Sequence, residues 1–290
     1  ILSLFLLPGE FSTDRYGGAQ YLPIELKLLS YMIYPSALAV GALTAKNYWN
    51  GKTRLIPIIL ALAYGMIYSS RTVVILTIVA MISSDLAVRA LPHEGKKNDL
   101  RNILIAGTGL ILVFPIIFIG LQWLRQGVGA EFIMDDMVQI ARSSMTGSIS
   151  AFSQWFQQYN WQDYGWGKHT FAGPFELLGL STREQGFFLE FSEVGATHIN
   201  IYTAFRGLIQ DYGFLGSSLM LFIFGLISSM LYGKVKSGSV AAIPLLAICN
   251  GWVLFSPFIS LFVNNSILTG YIIFFSVSFL PLEPHKRFID

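Results

Sequence analysis

The chain has 290 residues, of which 53% are hydrophobic and only 12% are charged, whereas a soluble globular domain carries about 25% charged residues. The formal net charge is +2, which gives no reason to expect nucleic acid or another anionic polymer as a partner. Because apolar stretches recur along the whole chain, the composition excludes an ordinary soluble enzyme and predicts a polytopic membrane protein. The single cysteine, Cys249, excludes an internal disulfide and a cysteine-rich metal site.

The predicted architecture is all-α, because an open sheet cannot satisfy its backbone hydrogen bonds in lipid. Seven stretches are predicted membrane helices: 25–45, 55–69, 72–88, 103–122, 207–232, 240–263 and 267–282. Residues 1–7 look like the tail of a further span, and we expect earlier spans to precede them. The chain thus divides into N-terminal membrane helices (1–122), a long external segment (123–206) and C-terminal membrane helices (207–290).

Stretches 55–69 and 72–88 are short for membrane helices. At 1.5 Å per residue each reaches only about 23–26 Å. Their apex, Ser69-Ser70-Arg71, is therefore predicted to lie below the outer surface, within the outer leaflet. One continuous helix over 55–82 is the alternative, but it would put two basic loops on opposite faces of the membrane.

The orientation of the spans follows from the basic residues. Eleven of the 19 lysines and arginines lie in loops 46–54, 89–102 and 233–239 and in the C-terminal tail. The predicted spans put all four segments on one side, which is then cytoplasmic. The external segment lies on the other side.

The external segment has about 84 residues and is far longer than a usual connection. Apolar residues at spacings of three to five over 132–156 predict amphipathic helices, broken near Thr146-Gly147. We expect these helices to lie on the membrane surface or on other spans. The stretch 160–174 is rich in aromatics and glycine, which suits sugar rings and the membrane interface equally.

Arg71 and Arg206 are the main candidate site residues, because a cation within apolar sequence is costly and often marks a function. The structural alternatives are an ion pair between Arg71 and Asp211, and snorkelling of Arg206 to the headgroups. Both arginines are predicted at the same leaflet depth. Two guanidinium groups there suit a lipid-linked phosphate or pyrophosphate, whose oxygens arginine binds in bidentate fashion. Arg183 is a third candidate.

Four further residues stand near Arg206 in the sequence. His198 is either a general base for a reactive hydroxyl or a hydrogen-bonded structural histidine. Asn200 and Tyr202 either orient sugar hydroxyls or form caps, and Asp211 either pairs with an arginine or takes a proton. The acids and histidines do not have the spacing or the common side of the membrane that a metal site needs, so no metal is expected.

Two sequence motifs and the topology carry a family resemblance. The motifs are Ser69-Ser70-Arg71-Thr72 in the short hairpin, and Asn200-Ile-Tyr-Thr-Ala-Phe-Arg206 followed by Asp211-Tyr-Gly-Phe-Leu-Gly216 at the start of a membrane helix. Together with the large external segment before the last spans, they make the chain resemble the Wzy-type O-antigen polymerases. O-antigen ligases are similar, but they usually show His-Asn about eleven residues before the glycine that corresponds to Gly213. Tyr202-Thr203 stands there instead, which favours a polymerase.

The resemblance implies a multi-pass protein of the bacterial inner membrane, with a fold related to the C-class membrane glycosyltransferases and an active site facing the periplasm. It implies transfer of a growing glycan from undecaprenyl pyrophosphate to the non-reducing end of a new lipid-linked repeat unit, without a metal or other cofactor. The partners implied are the lipid-linked donor and acceptor and the bilayer, with a chain-length-regulating polysaccharide co-polymerase as a further candidate.

The candidate residues suit this chemistry. Without a metal, arginines must neutralise the departing pyrophosphate, so Arg71 and Arg206 are predicted to hold it, with Arg183 assisting. His198 is predicted to accept the proton of the attacking hydroxyl. Two alternatives stay open: a ligase of the same superfamily, and a non-enzymatic transporter of lipid-linked sugars, although no internal repeat of the kind found in transporters stands out.

Overall fold

The computed structural model describes residues 24–46, 52–67, 71–92, 134–160, 164–181, 188, 190–194 and 197–278. Within these ranges the chain is mostly helical, as predicted, and eight α-helices are present. They are α1 (Ile24–Ala45), α2 (Ile56–Ile67), α3 (Arg71–Arg89), α4 (Met134–Gln158), α5 (Ala172–Leu177), α6 (Ala204–Lys236), α7 (Ile243–Phe255) and α8 (Asn265–Ser278). Short 3-10 turns lie at Lys52–Leu55, Val240–Ala242 and Leu261–Val263.

Two of these helices are long and apolar enough to cross a membrane, namely Thr72–Arg89 within α3 and Ala204–Lys236, which is α6. The predicted span over 103–122 lies outside the described residues. Helices α2 and α3 contact each other. Residues 68–70, which include most of the predicted hairpin apex, lie outside the described residues, so the hairpin stays a prediction.

Helices α1, α3, α7 and α8 pack around a shared apolar core. Small residues allow the close contacts: an added Cβ at Gly41 on α1 would overlap the backbone of α3, and one at Gly251 on α7 would overlap the hydroxyl of Tyr271 on α8. That hydroxyl lies 2.8 Å from Ser83 Oγ on α3, and Asn250 Nδ2 donates to the Ser83 carbonyl at 3.3 Å. Small residues and buried hydrogen bonds of this kind fix the contacts between apolar helices.

Helix α6 is divided by Gly213, which has φ 67° and ψ −178°. This left-handed conformation strongly favours glycine, and the ring of Tyr164 packs against the position that a Cβ would occupy. The roughly 23 residues after the kink reach about 34 Å, which is enough to cross a bilayer. Their large apolar side chains are mostly exposed, with Leu215 at 83% and Met230 at 66%.

The external segment also contains two short strands, so the prediction of an all-α chain was wrong in this detail. Ser192–Val194 (β1) pairs antiparallel with Thr197–Ile199 (β2), and Glu193 stands opposite His198. The β-branched side chains of these strands favour extended backbone. Strands of three residues are too short to give a recognisable alternation in the sequence.

The predicted helix break near Thr146-Gly147 was also wrong, because α4 continues from Met134 to Gln158. Gly147 is buried, and an added Cβ there would overlap the side chain of Ile199 on β2. The glycine therefore serves the close approach of β2 to the helix and not a turn.

The described part of the external segment is hydrogen-bonded to the ends of the core helices. Ser148 on α4 donates to the carbonyl of Pro257, just after α7, at 2.7 Å. Ser260 donates to the carbonyl of Thr170 at 2.9 Å, and Asn265 at the start of α8 donates to the Glu176 carboxylate at 2.7 Å. These contacts hold the segment against the connection between α7 and α8.

Candidate functional site

The centre of the site is Arg206, in the first turn of α6. It is only 2% exposed, and its guanidinium carbon lies 3.9 Å from the ring centroid of Tyr202, 4.0 Å from that of Phe188 and 5.0 Å from that of Trp155. We call these three rings the aromatic cage. They come from α4, from an irregular stretch of the external segment and from the residues just before α6. Their π faces stabilise a cation that is largely removed from water.

The polar contacts of Arg206 leave one nitrogen unused. Nη2 donates to Glu190 Oε2 at 2.7 Å, and Nε makes a long contact of 3.4 Å with Gln210 Oε1. Nη1 is buried and makes no hydrogen bond to any described residue. A buried donor without a partner costs about 1–3 kcal/mol, and more on a charged group. Nη1 is therefore suited to an additional acceptor oxygen.

Hydrogen bonds fix the wall of the cage that Tyr202 provides. Its hydroxyl donates to the backbone carbonyl of Glu190 at 3.1 Å and lies 3.1 Å from Ser192 Oγ on β1. Its ring meets Phe188 edge to face, with centroids 5.1 Å apart. Tyr202 thus packs against the Arg206 guanidinium. Its hydroxyl also holds the backbone of Glu190, whose carboxylate forms the ion pair with Arg206.

Asp211 fastens a loop to α6. It is fully buried, and its carboxylate accepts the backbone N–H of His169 at 3.1 Å and that of Thr170 at 2.6 Å. Gly165 adds a backbone bond of 2.9 Å to the Gln210 carbonyl, and an added Cβ at Gly165 would overlap the Asp211 carboxylate. The carboxylate thus anchors residues 165–170 just before the kink at Gly213.

His169 brings an imidazole to the same place. Its ring stacks on Phe188, with centroids 6.2 Å apart and planes 11° from parallel. Burial lowers the pKa of His169, an effect that the charge of Arg206 reinforces and the carboxylate of Asp211 opposes. The neutral imidazole is therefore favoured beside the cage.

The structure brings three of the predicted site residues together: Arg206, Tyr202 and Asp211. Asn200 lies directly after β2 and is half-buried. The roles predicted for Tyr202 and Asn200 towards sugar hydroxyls stay predictions, although the Tyr202 hydroxyl is already hydrogen-bonded within the protein. Asp211 is engaged by backbone amides.

The other candidates cannot be placed around Arg206. Arg71 is the first residue of α3 and His198 lies on β2, but their side chains lie outside the described part of the structure, and so does all of Arg183. The convergence of Arg71 with Arg206 thus stays a prediction. Within the described ranges, no group of three or more histidines, cysteines or acids is placed to hold a metal ion.

Sequence reasoning missed Glu190 and the cage residues Trp155 and Phe188. These residues lie far apart in the chain, and nothing in their spacing connects them with Arg206. His169 was also not predicted as a site residue. Its position in an aromatic and glycine-rich stretch beside Trp166 was the available signal.

Comparison of the chain with protein-family models, with curated proteins and with solved structures gave no match. The arrangement itself defines what the site can do. A buried guanidinium is held rigidly and has an exposed carboxylate as its ion-pair partner, and one of its donors has no partner among the residues that the structure describes. It lies at the start of a long apolar helix. Such a site can bind the anionic oxygen of a ligand that also has an apolar part.

Proposed function

We propose that this protein is a polytopic membrane glycosyltransferase of the O-antigen polymerase type, with a fold related to the C-class glycosyltransferases. It joins undecaprenyl-pyrophosphate-linked oligosaccharide repeat units at the periplasmic face of the bacterial inner membrane. The observation that carries the proposal is the caged Arg206, whose Nη1 makes no hydrogen bond within the described part of the chain. Phosphate oxygens match the geometry of a rigid guanidinium fork, which can bind two of them at once.

The chemistry explains why a caged arginine is useful. When the sugar leaves the lipid carrier, negative charge develops on the pyrophosphate, and a preorganised cation in a water-poor site stabilises that charge strongly. Arginine keeps its charge in such a site. The cage orients the guanidinium before the substrate arrives, so little reorganisation is needed during the reaction.

The ends of α6 support the proposed orientation. Arg206 lies at its start, and Lys234 and Lys236 lie in its last turn. Basic residues of this kind favour the cytoplasmic side of a span. The guanidinium then lies at the opposite, periplasmic boundary, where a lipid-linked pyrophosphate resides. Arg71, with Arg183 assisting, is proposed as the second ligand of the same pyrophosphate.

The test uses purified protein in liposomes with one lipid-linked repeat unit. Arg206→Ala should lower the rate of polymer formation by at least about 100-fold, because the charge on the leaving group is no longer neutralised. Arg206→Lys should recover little, because lysine lacks the planar fork. Arg142→Ala is the matched control, because Arg142 is an exposed arginine on α4. Full-length polymer from Arg206→Ala would refute the arginine clamp.

The same incubation separates the alternative functions. A polymerase builds a ladder of products from a single kind of lipid-linked unit. A ligase needs a different acceptor, such as a lipid A core or a protein, and gives no ladder. A transporter leaves the glycan unchanged on its lipid.

A further inference from the structure

The ion pair between Arg206 and Glu190 is asymmetric. The side chain of Arg206 is 2% exposed and that of Glu190 is 68% exposed, although their charged atoms lie only 2.7 Å apart. The guanidinium is held by the cage, whereas the carboxylate reaches it from the solvent side. Of the two partners, only Glu190 can leave without opening the cage.

A diphosphate would compete directly with Glu190. The carboxylate uses Nη2, and Nη1 has no hydrogen-bond partner among the described residues. Phosphate oxygens could use both nitrogens at once, and such bidentate contacts are stronger than single ones. A bound diphosphate would therefore replace the carboxylate. Glu190 would stay nearby, because the Tyr202 hydroxyl holds its backbone carbonyl.

We propose, on the basis of the proposed function, that Glu190 is the general base of the reaction. It replaces the sequence-based prediction of His198, whose side chain lies outside the described part of the structure. The donor pyrophosphate displaces Glu190 from Arg206, and the released carboxylate takes the proton of the acceptor hydroxyl. The hydroxyl oxygen forms a bond to the anomeric carbon of the donor sugar while the bond from that carbon to the pyrophosphate oxygen breaks. The electron pair of the broken bond stays on the undecaprenyl pyrophosphate, which Arg206 neutralises, and the proton passes from Glu190 to water.

Asp211 is less suited to this role, although it also lies close to Arg206 in the sequence. Its carboxylate is fully buried and accepts the backbone N–H groups of His169 and Thr170. A proton on Asp211 would weaken the bonds that anchor the loop. The Glu190 carboxylate is 68% exposed and can therefore be reached by an acceptor hydroxyl.

The test measures binding and turnover separately for Glu190→Gln. The binding probe is undecaprenyl pyrophosphate without sugar, titrated into purified protein in detergent. We expect binding at least as tight as for the wild type, because the competing carboxylate is removed. Polymer formation from the lipid-linked repeat unit should fall by about 100-fold or more, the usual contribution of a general base. Glu190→Asp, which keeps the carboxylate, should recover part of the rate.

Glu193→Gln is the matched control, because Glu193 is an exposed carboxylate on β1. It should leave both measurements close to those of the wild type. Polymer formation by Glu190→Gln within about threefold of the wild type would overturn the base assignment. Loss of binding together with turnover would also overturn it, because Glu190 would then only position Arg206. Normal binding and turnover by Arg206→Ala would instead refute the proposed clamp, so the two failures are distinguishable.

Discussion

The two parts of α6 have opposite surroundings. Before Gly213, most side chains are buried, and Arg206 and Asp211 make the polar contacts of the site. After Gly213, most of the large apolar side chains are exposed. Burial of charged groups in one part and exposure of apolar groups in the other are both costly in water. The pattern is explained if the second part faces lipid and the first part belongs to the external segment.

The largest expected effect tests whether the second part of α6 faces lipid. Leu226 lies near the middle of the second part and is half exposed. An arginine at the centre of a membrane helix costs about 3 kcal/mol on insertion scales. We expect Leu226→Arg to lower the membrane-integrated fraction of the protein, measured by resistance to alkaline carbonate extraction.

Tyr232→Arg is the control for this substitution. Tyr232 is equally exposed but lies beside Lys234, where a long basic side chain can reach the interface. This variant should be integrated almost as well as the wild type. Equal integration of both variants would mean that the second part of α6 does not face the membrane interior.

The next prediction concerns the kink. Gly213→Ala forces a side chain into the region at φ 67° and ψ −178°, which is essentially restricted to glycine, at a cost of about 1–3 kcal/mol. The new Cβ would also press on the ring of Tyr164. We expect a lower thermal stability of the purified protein and faster proteolysis within 164–181. Gly225→Ala, where a Cβ meets nothing within 4 Å, should be neutral or slightly stabilising, because alanine favours helix. Equal effects of the two substitutions would show that the kink is not needed.

The sequence predicted the positions of α1, α2, α3 and α8 well because the length of an apolar run is a local property. The predicted span 240–263 was less accurate, because α7 covers only Ile243–Phe255 and 3-10 turns lie on either side of it. The boundary between the external segment and the last membrane helices was less accurate. It was placed at Gly207, whereas α6 begins at Ala204 and its first part belongs to the site. Gly213 is the one local sequence signal that separates the two parts of α6. A single glycine inside a helix does not by itself predict a kink.

The site was predictable only in part, for a related reason. Arg206 was a candidate because it is a lone arginine beside an apolar stretch. Tyr202 and Asp211 were candidates because they lie near it in the sequence. The cage needs Trp155 and Phe188, and the ion pair needs Glu190. These contacts depend on how α4 and the strands pack against α6. Such tertiary contacts leave no spacing rule in one sequence.

The smallest expected effect is a dependence of stability on pH that comes from His169. Burial lowers its pKa in the folded protein, so the unfolded chain binds a proton more readily. The contribution of His169 to the free energy of unfolding is therefore fully present above about pH 6.5, the pKa of histidine in the unfolded chain. It is lost progressively as the pH falls below that value and through the lowered pKa. Proteolysis within 164–181 should accelerate over this range in the wild type. His169→Asn should remove that part of the pH dependence, whereas an unchanged pH profile would show that the imidazole beside Phe188 does not set the stability of the loop.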